Sequence, residues 1–124
     1  MVSPNKTIHL ALRTAKRQQM VDFFKLIFNF ELLEVFALDG GEEVICFMSD
    51  DNSAKLELIC NPRFIERPSG QVLSHYGFFV NDYAQVLAAS ISAGLPILDQ
   101  VCNENRRQFY ITDPDGNYVE VNSI

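Results

Sequence analysis

Two histidines and two glutamates recur at nearly equal intervals along this chain of 124 residues. Glu57 follows His9 in the first half of the sequence, and Glu120 follows His75 in the second half. Neutral imidazole nitrogens and carboxylate oxygens are together suited to a borderline divalent transition metal. The repetition therefore predicts a duplicated scaffold with one metal between its two copies, bound by all four residues.

The same order of elements is predicted in both halves, namely one strand, one helix and three strands. In the first half, the spacing of apolar residues predicts a helix over 16–28 and strands over 7–13, 30–38, 43–48 and 55–61. In the second half, it predicts a helix between Asp82 and Gly94 and strands over 74–80, 97–101, 108–112 and 118–123. Prolines and a glycine after residue 61 indicate a linker. We therefore expect a single domain over residues 1–124, with module one at 7–61, a linker at 62–72 and module two at 73–124.

The histidines and glutamates should share one kind of surface. Apolar residues adjoin each of them, and side chains on a strand alternate between two faces. The apolar side should pack under the helix of the same module, so that the histidines and glutamates line a concavity. A carboxylate between two leucines, as at Glu57, is partly desolvated and should have a partner.

Each of these residues taken alone has an ordinary structural explanation. A lone histidine in a strand is more often a hydrogen-bonded structural residue than a ligand, and a lone glutamate is usually solvated. Four of them at matched positions of two copies favour a metal site. Other residues stay open: Arg106 and Arg107 fit either an anionic substrate group or solvated loop charges, and Tyr110 and Tyr118 fit either a cavity wall or packing.

Composition narrows the classes of partner. A net charge of −6 and a pI near 4.7 argue against a nucleic-acid partner. No apolar run approaches the roughly 20 residues of a membrane span, and the first residues lack the apolar core of a signal peptide. Three cysteines without C-x-x-C spacing indicate neither a disulfide framework nor a thiolate zinc site. We expect a cytoplasmic protein that acts on a small molecule, with no nucleic-acid and no membrane partner.

A turn motif connects the chain to a known superfamily. Residues Asp113 to Asn117 read D-P-D-G-N and are followed by Tyr118, Val119 and Glu120. With this turn and with the repeated elements, nearly the whole chain resembles the vicinal oxygen chelate superfamily, which includes glyoxalases, bleomycin-resistance proteins and dioxygenases. The resemblance implies an α+β fold of two βαβββ modules that form a cup-shaped mixed β-sheet. It also implies a homodimer, with a site that lies within one chain or is shared between two.

Within that superfamily, the chain looks most like glyoxalase I, the lactoylglutathione lyase. That family binds a divalent metal through residues on its first, fourth, fifth and eighth strands, which match His9, Glu57, His75 and Glu120. Arg13 and Asn61 match residues that hold glutathione in small bacterial members. The resemblance implies nickel, cobalt, zinc, manganese or iron, glutathione or another small thiol, and a hemithioacetal of methylglyoxal or a related α-oxoaldehyde. Glu120 is the implied catalytic base, and Glu57 is the implied counterpart that returns the proton.

Two other functions are open at this point. His9, His75 and Glu120 alone would form the two-histidine, one-carboxylate triad of a non-haem iron dioxygenase of the extradiol type. Glu57 counts against that interpretation, because it would occupy a position that oxygen or substrate needs. The second alternative is a non-catalytic small-molecule binding protein of the drug-resistance type. Such proteins generally lack the four ligands that this chain carries.

Overall fold

A computed structural model describes residues 8–38, 40–48, 54–64 and 75–124 of the chain. These residues fall into two compact units, which divide the strands equally between them. Most of the predicted linker and the first residue of two predicted strands (Thr7 and Ser74) lie outside the described residues. Neither of the two described helices has the length and apolar content that a transmembrane helix needs.

The first unit is a four-stranded mixed sheet with a helix. Its elements are β1 (Ile8–Thr14), α1 (Arg17–Phe28), β2 (Glu31–Ala37), β3 (Glu43–Met48) and β4 (Ala54–Cys60), and only the last three residues of α1 are grouped with the second unit. The strand order is β1-β4-β3-β2, in which β1 and β4 run parallel and the other neighbours are antiparallel. The apolar stripe of α1 is buried, and the rings of Phe24 and Phe47 lie 6.2 Å apart between helix and sheet. Asn29, in the left-handed conformation, ends the helix by donating its N–H to the Lys25 carbonyl.

The second unit repeats this construction. Its elements are β5 (His75–Val80), α2 (Tyr83–Ser92), β6 (Leu98–Cys102), β7 (Arg107–Thr112) and β8 (Tyr118–Ser123). The strand order is β5-β8-β7-β6, again with one parallel pair, β5 and β8. The Asp82 side chain accepts the Gln85 N–H at 3.0 Å, which confirms the predicted start of α2. Gly94, at a φ of 76°, follows the helix and confirms its predicted end.

The predicted repeat of strand, helix and three strands is therefore confirmed, with strand ends that differ by a residue or so. Apolar residues on both sides of the two glutamates are buried, as the alternation predicts: Leu56 and Leu58 are 3% and 0% exposed, and Val119 and Val121 are both 0% exposed. Each module forms its own four-stranded sheet, and this arrangement places a histidine strand beside a glutamate strand in each unit.

The D-P-D-G-N turn is held by a buried carboxylate. Asp113 is 4% exposed and accepts hydrogen bonds from the Tyr76 hydroxyl at 2.7 Å, from the Asp115 N–H at 2.9 Å and from both nitrogens of Asn117. Burial, together with the adjacent Asp113 charge, raises the pKa of Tyr76, so its hydroxyl stays a donor. The turn thus joins β5 to the start of β8.

We expect Tyr76→Phe to lower the free energy of unfolding by about 1–3 kcal/mol, because a buried carboxylate would lose one of its donors. Urea denaturation followed by circular dichroism measures the change. Tyr118→Phe is the matched control, since Tyr118 lies on the adjoining strand and is 51% exposed. Equal stability of the two variants would show that the buried hydroxyl contributes nothing to the turn.

Candidate metal-binding site

The first unit brings His9 and Glu57 into direct contact. Ala11, two residues after His9 on β1, is the register partner of Glu57 on the parallel strand β4. This stagger leaves 3.1 Å between His9 Nε2 and Glu57 Oε2, with side-chain exposures of 54% and 19%. The Lys55 Nζ lies 3.6 Å from the other Glu57 oxygen. Glu57, which is partly desolvated, therefore has the charged or polar partner that was expected for it, in His9 and Lys55.

The second unit brings His75 and Glu120 together in the same way. Gly77, two residues after His75 on β5, is the register partner of Glu120 on β8. His75 Nε2 lies 3.2 Å from Glu120 Oε2, with side-chain exposures of 42% and 22%. The duplicated sequence thus produces two histidine–glutamate pairs with almost the same separation.

The separation within each pair fits two adjacent ligands of one divalent ion. Bonds from a transition metal to imidazole nitrogen or carboxylate oxygen are about 2.1 Å long, so two ligands at a right angle lie about 3.0 Å apart. The observed 3.1 and 3.2 Å are close to this value. Within the described part of either unit, no three metal-binding side chains gather at one place. Each unit therefore holds one histidine–glutamate pair, and the four-residue site stays a prediction.

Tyr110, whose role the sequence left undecided, is a neighbour of the second pair. Its hydroxyl donates to Glu120 Oε2 at 2.5 Å, and its ring meets the His75 ring edge-on at 5.4 Å. This hydrogen bond holds the pKa of Glu120 below its ordinary value, and the side chain of Asn122 and the charge of His75 add to the effect. The same bond raises the pKa of Tyr110. Counting outwards from the D-P-D-G-N turn would have found the contact, since β7 and β8 are antiparallel and pair Tyr110 with Glu120.

Cys46 occupies the corresponding place in the first unit. It is the register partner of Glu57 on β3 and is 0% exposed. Burial raises the pKa of its thiol, and the Glu57 charge raises it further. Both effects favour the protonated form of the Cys46 thiol.

Arg13 and Asn61, the predicted substrate-binding residues, lie at the same end of the parallel pair β1 and β4. The Asn61 N–H donates to the Thr14 carbonyl at 3.0 Å, and its side-chain oxygen accepts the Arg63 N–H at 2.9 Å. Arg13 Nη1 donates to Glu42 Oε2 at 2.7 Å. Both side chains are engaged within the unit, so an anionic ligand would compete with Glu42 for Arg13.

The two arginines that the sequence left open differ in their contacts. The Arg107 guanidinium lies over the Tyr83 ring, 4.8 Å from its centre, on the side of the sheet that carries α2. Arg106 belongs to the β6–β7 connection, where its N–H donates to Asn103 Oδ1 at 3.0 Å and its carbonyl accepts the Asn103 N–H. Arg107 therefore packs on Tyr83 through its guanidinium, a contact that neither of the two interpretations included.

Comparisons with solved structures show the same fold. The trypanothione-dependent glyoxalase I of Leishmania major is 18% identical with a TM-score of 0.75, over 98% of this chain and 87% of that one. A lactoylglutathione lyase from Agrobacterium tumefaciens is 22% identical with a TM-score of 0.66, over 97% of this chain and 94% of that one. An antibiotic-binding protein from a Streptomyces species is 18% identical with a TM-score of 0.71, over 98% of this chain and 96% of that one.

The sequence comparisons lead to a family but not to a single relative. No curated protein matches the chain. A protein-family model for the glyoxalase/bleomycin resistance protein/dioxygenase superfamily matches residues 6–121, which include both histidine–glutamate pairs. By fold and by sequence, the chain belongs to the glyoxalase/bleomycin resistance protein/dioxygenase superfamily.

Proposed function

We propose that the protein is a metal-dependent lyase of the glyoxalase I type, which acts on the hemithioacetal of methylglyoxal or a related α-oxoaldehyde with a small thiol. The observation that carries this proposal is the pair of matched contacts, His9 with Glu57 at 3.1 Å and His75 with Glu120 at 3.2 Å. Glutathione or another cellular thiol would be the co-substrate. The similarity to two glyoxalase I structures supports the fold that this chemistry uses.

The four paired residues are the proposed ligands of one divalent ion. Two imidazoles and two carboxylates suit nickel, cobalt, zinc, manganese or iron. We propose a cytoplasmic homodimer, in which the second pair of ligands comes from the same chain or from the partner chain. Light scattering on the purified protein would exclude the shared site if it gave a monomer at micromolar concentration.

The proposed reaction needs a base that moves one proton between neighbouring carbons. When bound, the metal would supply a Lewis acid that stabilises negative charge on the substrate oxygens. One of the two glutamates, Glu57 or Glu120, accepts the proton from the carbon that bears the thiol. A proton is then returned to the adjacent carbonyl carbon. The hemithioacetal thereby becomes the thioester of a 2-hydroxy acid, without an external oxidant. Positioned acid–base catalysis of this kind contributes about 10²–10⁴-fold in rate.

Arg13 and Asn61 are the proposed contacts for the polar groups of the thiol. Both lie at the end of the β1–β4 pair, four residues beyond His9 and Glu57 respectively. An anionic thiol such as glutathione would displace Glu42 from Arg13 and replace one carboxylate partner by another. In this proposal Arg13→Ala raises KM and leaves kcat nearly unchanged, because it removes binding that ground state and transition state share.

A non-catalytic binding protein is the second candidate, and the antibiotic-binding structure of the same fold is the observation that favours it. One assay separates the two. The protein, loaded in turn with each of the five metals, is mixed with methylglyoxal and glutathione, then with other cellular thiols, and thioester formation is followed by ultraviolet absorbance. We expect turnover with at least one metal and one thiol. A fully metallated protein that is silent with every thiol would contradict the lyase proposal and leave dioxygenase activity or ligand binding.

A further inference from the structure

The two glutamates have different surroundings although their strand registers are the same. Glu120 is paired across β7 with Tyr110, whereas Glu57 is paired across β3 with Cys46. On the parallel side, Glu120 is paired with Gly77, whereas Glu57 is paired with Ala11. The residues at two positions around the glutamate thus differ between the two modules, whereas the histidine and the glutamate are the same in both.

On one side, Glu120 is fixed by a hydrogen bond. The Tyr110 hydroxyl lies 2.5 Å from Oε2, the same oxygen that faces His75 Nε2 at 3.2 Å. The edge-on contact of the Tyr110 and His75 rings, at 5.4 Å, fixes the donor as well. Hydrogen bonds to a carboxylate are the stronger kind, so this oxygen is held between two neighbours.

On the other side, Glu120 is fixed by close packing of the backbone. A Cβ added to Gly77 would lie 2.8 Å from Glu120 Cβ and 2.9 Å from the Glu120 carbonyl oxygen. Real Cβ atoms do not come this near, so β5 approaches β8 at Glu120 only because residue 77 is glycine. The first unit accommodates the Cβ of Ala11 at the equivalent register.

Glu57 has weaker restraints. Within the described residues its carboxylate contacts His9 at 3.1 Å and Lys55 at 3.6 Å, and the Lys55 side chain is itself 32% exposed. A partly exposed ion pair of this kind holds a side chain weakly. The buried Cys46 thiol opposite it offers no counterpart to the Tyr110 hydroxyl.

We propose that Tyr110 and Gly77 are positioning residues that make Glu120 the stationary carboxylate of the site and leave Glu57 as the carboxylate that moves. The mobile carboxylate, Glu57, then has the proton-accepting role, and this consequence for catalysis rests on the proposed function. The stationary position of Glu120 does not depend on the reaction. It is a property of the second unit alone.

Metal affinity is the first test, with cobalt as the probe and with two matched pairs of variants. Loss of a residue that orients a ligand commonly costs about 10–100-fold in metal affinity, so Tyr110→Phe should weaken cobalt binding by about 10-fold or more. Tyr83→Phe removes a hydroxyl from the helix of the same unit, where Tyr83 packs on Phe109, and should leave the affinity unchanged. Gly77→Ala should weaken binding, while the reverse change Ala11→Gly should not. Of the two tyrosine variants, only Tyr110→Phe should change the visible spectrum of bound cobalt.

Side-chain carboxyl carbon NMR is the second test, and it requires neither metal nor activity. Tyr110→Phe should move the Glu120 resonance and leave that of Glu57 in place, and Tyr83→Phe should move neither. An unmoved Glu120 resonance, or equal cobalt affinities for the two tyrosine variants, would overturn the proposal. A wild-type protein that binds cobalt but forms no thioester would contradict the lyase function, and the tyrosine comparison would still decide this inference. If Gly77→Ala does not fold, the tyrosine pair decides it alone.

Discussion

Replacing His75 by alanine should lower the affinity for nickel or cobalt by at least about 100-fold. Removal of a group that merely orients a metal ligand costs about 10–100-fold, so removal of the ligand itself should cost at least the upper value. Isothermal titration calorimetry on the metal-free protein measures the change. His9→Ala is the natural comparison, because His9 faces Glu57 at nearly the distance at which His75 faces Glu120.

The stoichiometry of that titration decides whether the two pairs act as one site. If all four residues bind a single ion, wild type binds one ion per pair of units, and either alanine variant loses all tight binding. The wild-type protein should then gain stability with metal, by about 2.7 kcal/mol or roughly 10 °C in Tm when free metal exceeds Kd 100-fold. Two independent sites would instead leave each single variant with half of the wild-type metal. No binding and no thermal shift with any of the five metals would contradict the metal proposal altogether.

Much of the fold could be predicted because its signals are local. The alternation around Glu57 and Glu120 determined which face each carboxylate occupies, and the burial of the adjacent leucines and valines confirms it. The capping contact of Asp82 and the glycine at position 94 are also determined within a few residues. Periodicity and turn chemistry need no knowledge of distant partners, which is why these predictions are confirmed.

Contacts between polar side chains were harder to predict because they depend on register between strands. Arg13 finds Glu42 across 29 residues, and nothing near Arg13 in the sequence indicates that partner. The sequence alone does not show whether Tyr110 packs or donates a hydrogen bond, and only its pairing with Glu120 decides this. A shift by one residue in that pairing would turn the hydroxyl to the other face of the sheet.

The difference between the two modules has the same origin. As single letters, Gly77 and Ala11 are both small residues and carry no signal. Only the close approach of the two strands, in which a Cβ at position 77 would lie 2.8 Å from Glu120 Cβ, shows that glycine is required there. The repeated histidines and glutamates therefore predict the symmetry of the site, whereas the register partners determine how that symmetry is broken.

That asymmetry leads to the last prediction, which compares Glu57→Gln with Glu120→Gln in the thioester assay. Glutamine keeps the shape of the side chain and removes its ability to accept a proton. Glu57→Gln should lower kcat by about 10²-fold or more while metal affinity falls little, because it removes the mobile carboxylate that acts as base. Glu120→Gln should act mainly by weakening metal binding, and saturating metal should restore much of its activity.

Measuring kcat at saturating metal for both variants separates the two roles, with metal content determined in the same samples. Glu104→Gln is a suitable control for loss of one carboxylate charge in the second unit, since Glu104 is exposed and belongs to neither histidine–glutamate pair. The reverse outcome, a Glu120→Gln protein that keeps its metal and loses kcat, would make Glu120 the base, as expected in the sequence analysis. Loss of kcat in both variants at full metal occupancy would mean that the two carboxylates share the proton transfer, one removing the proton and the other returning it.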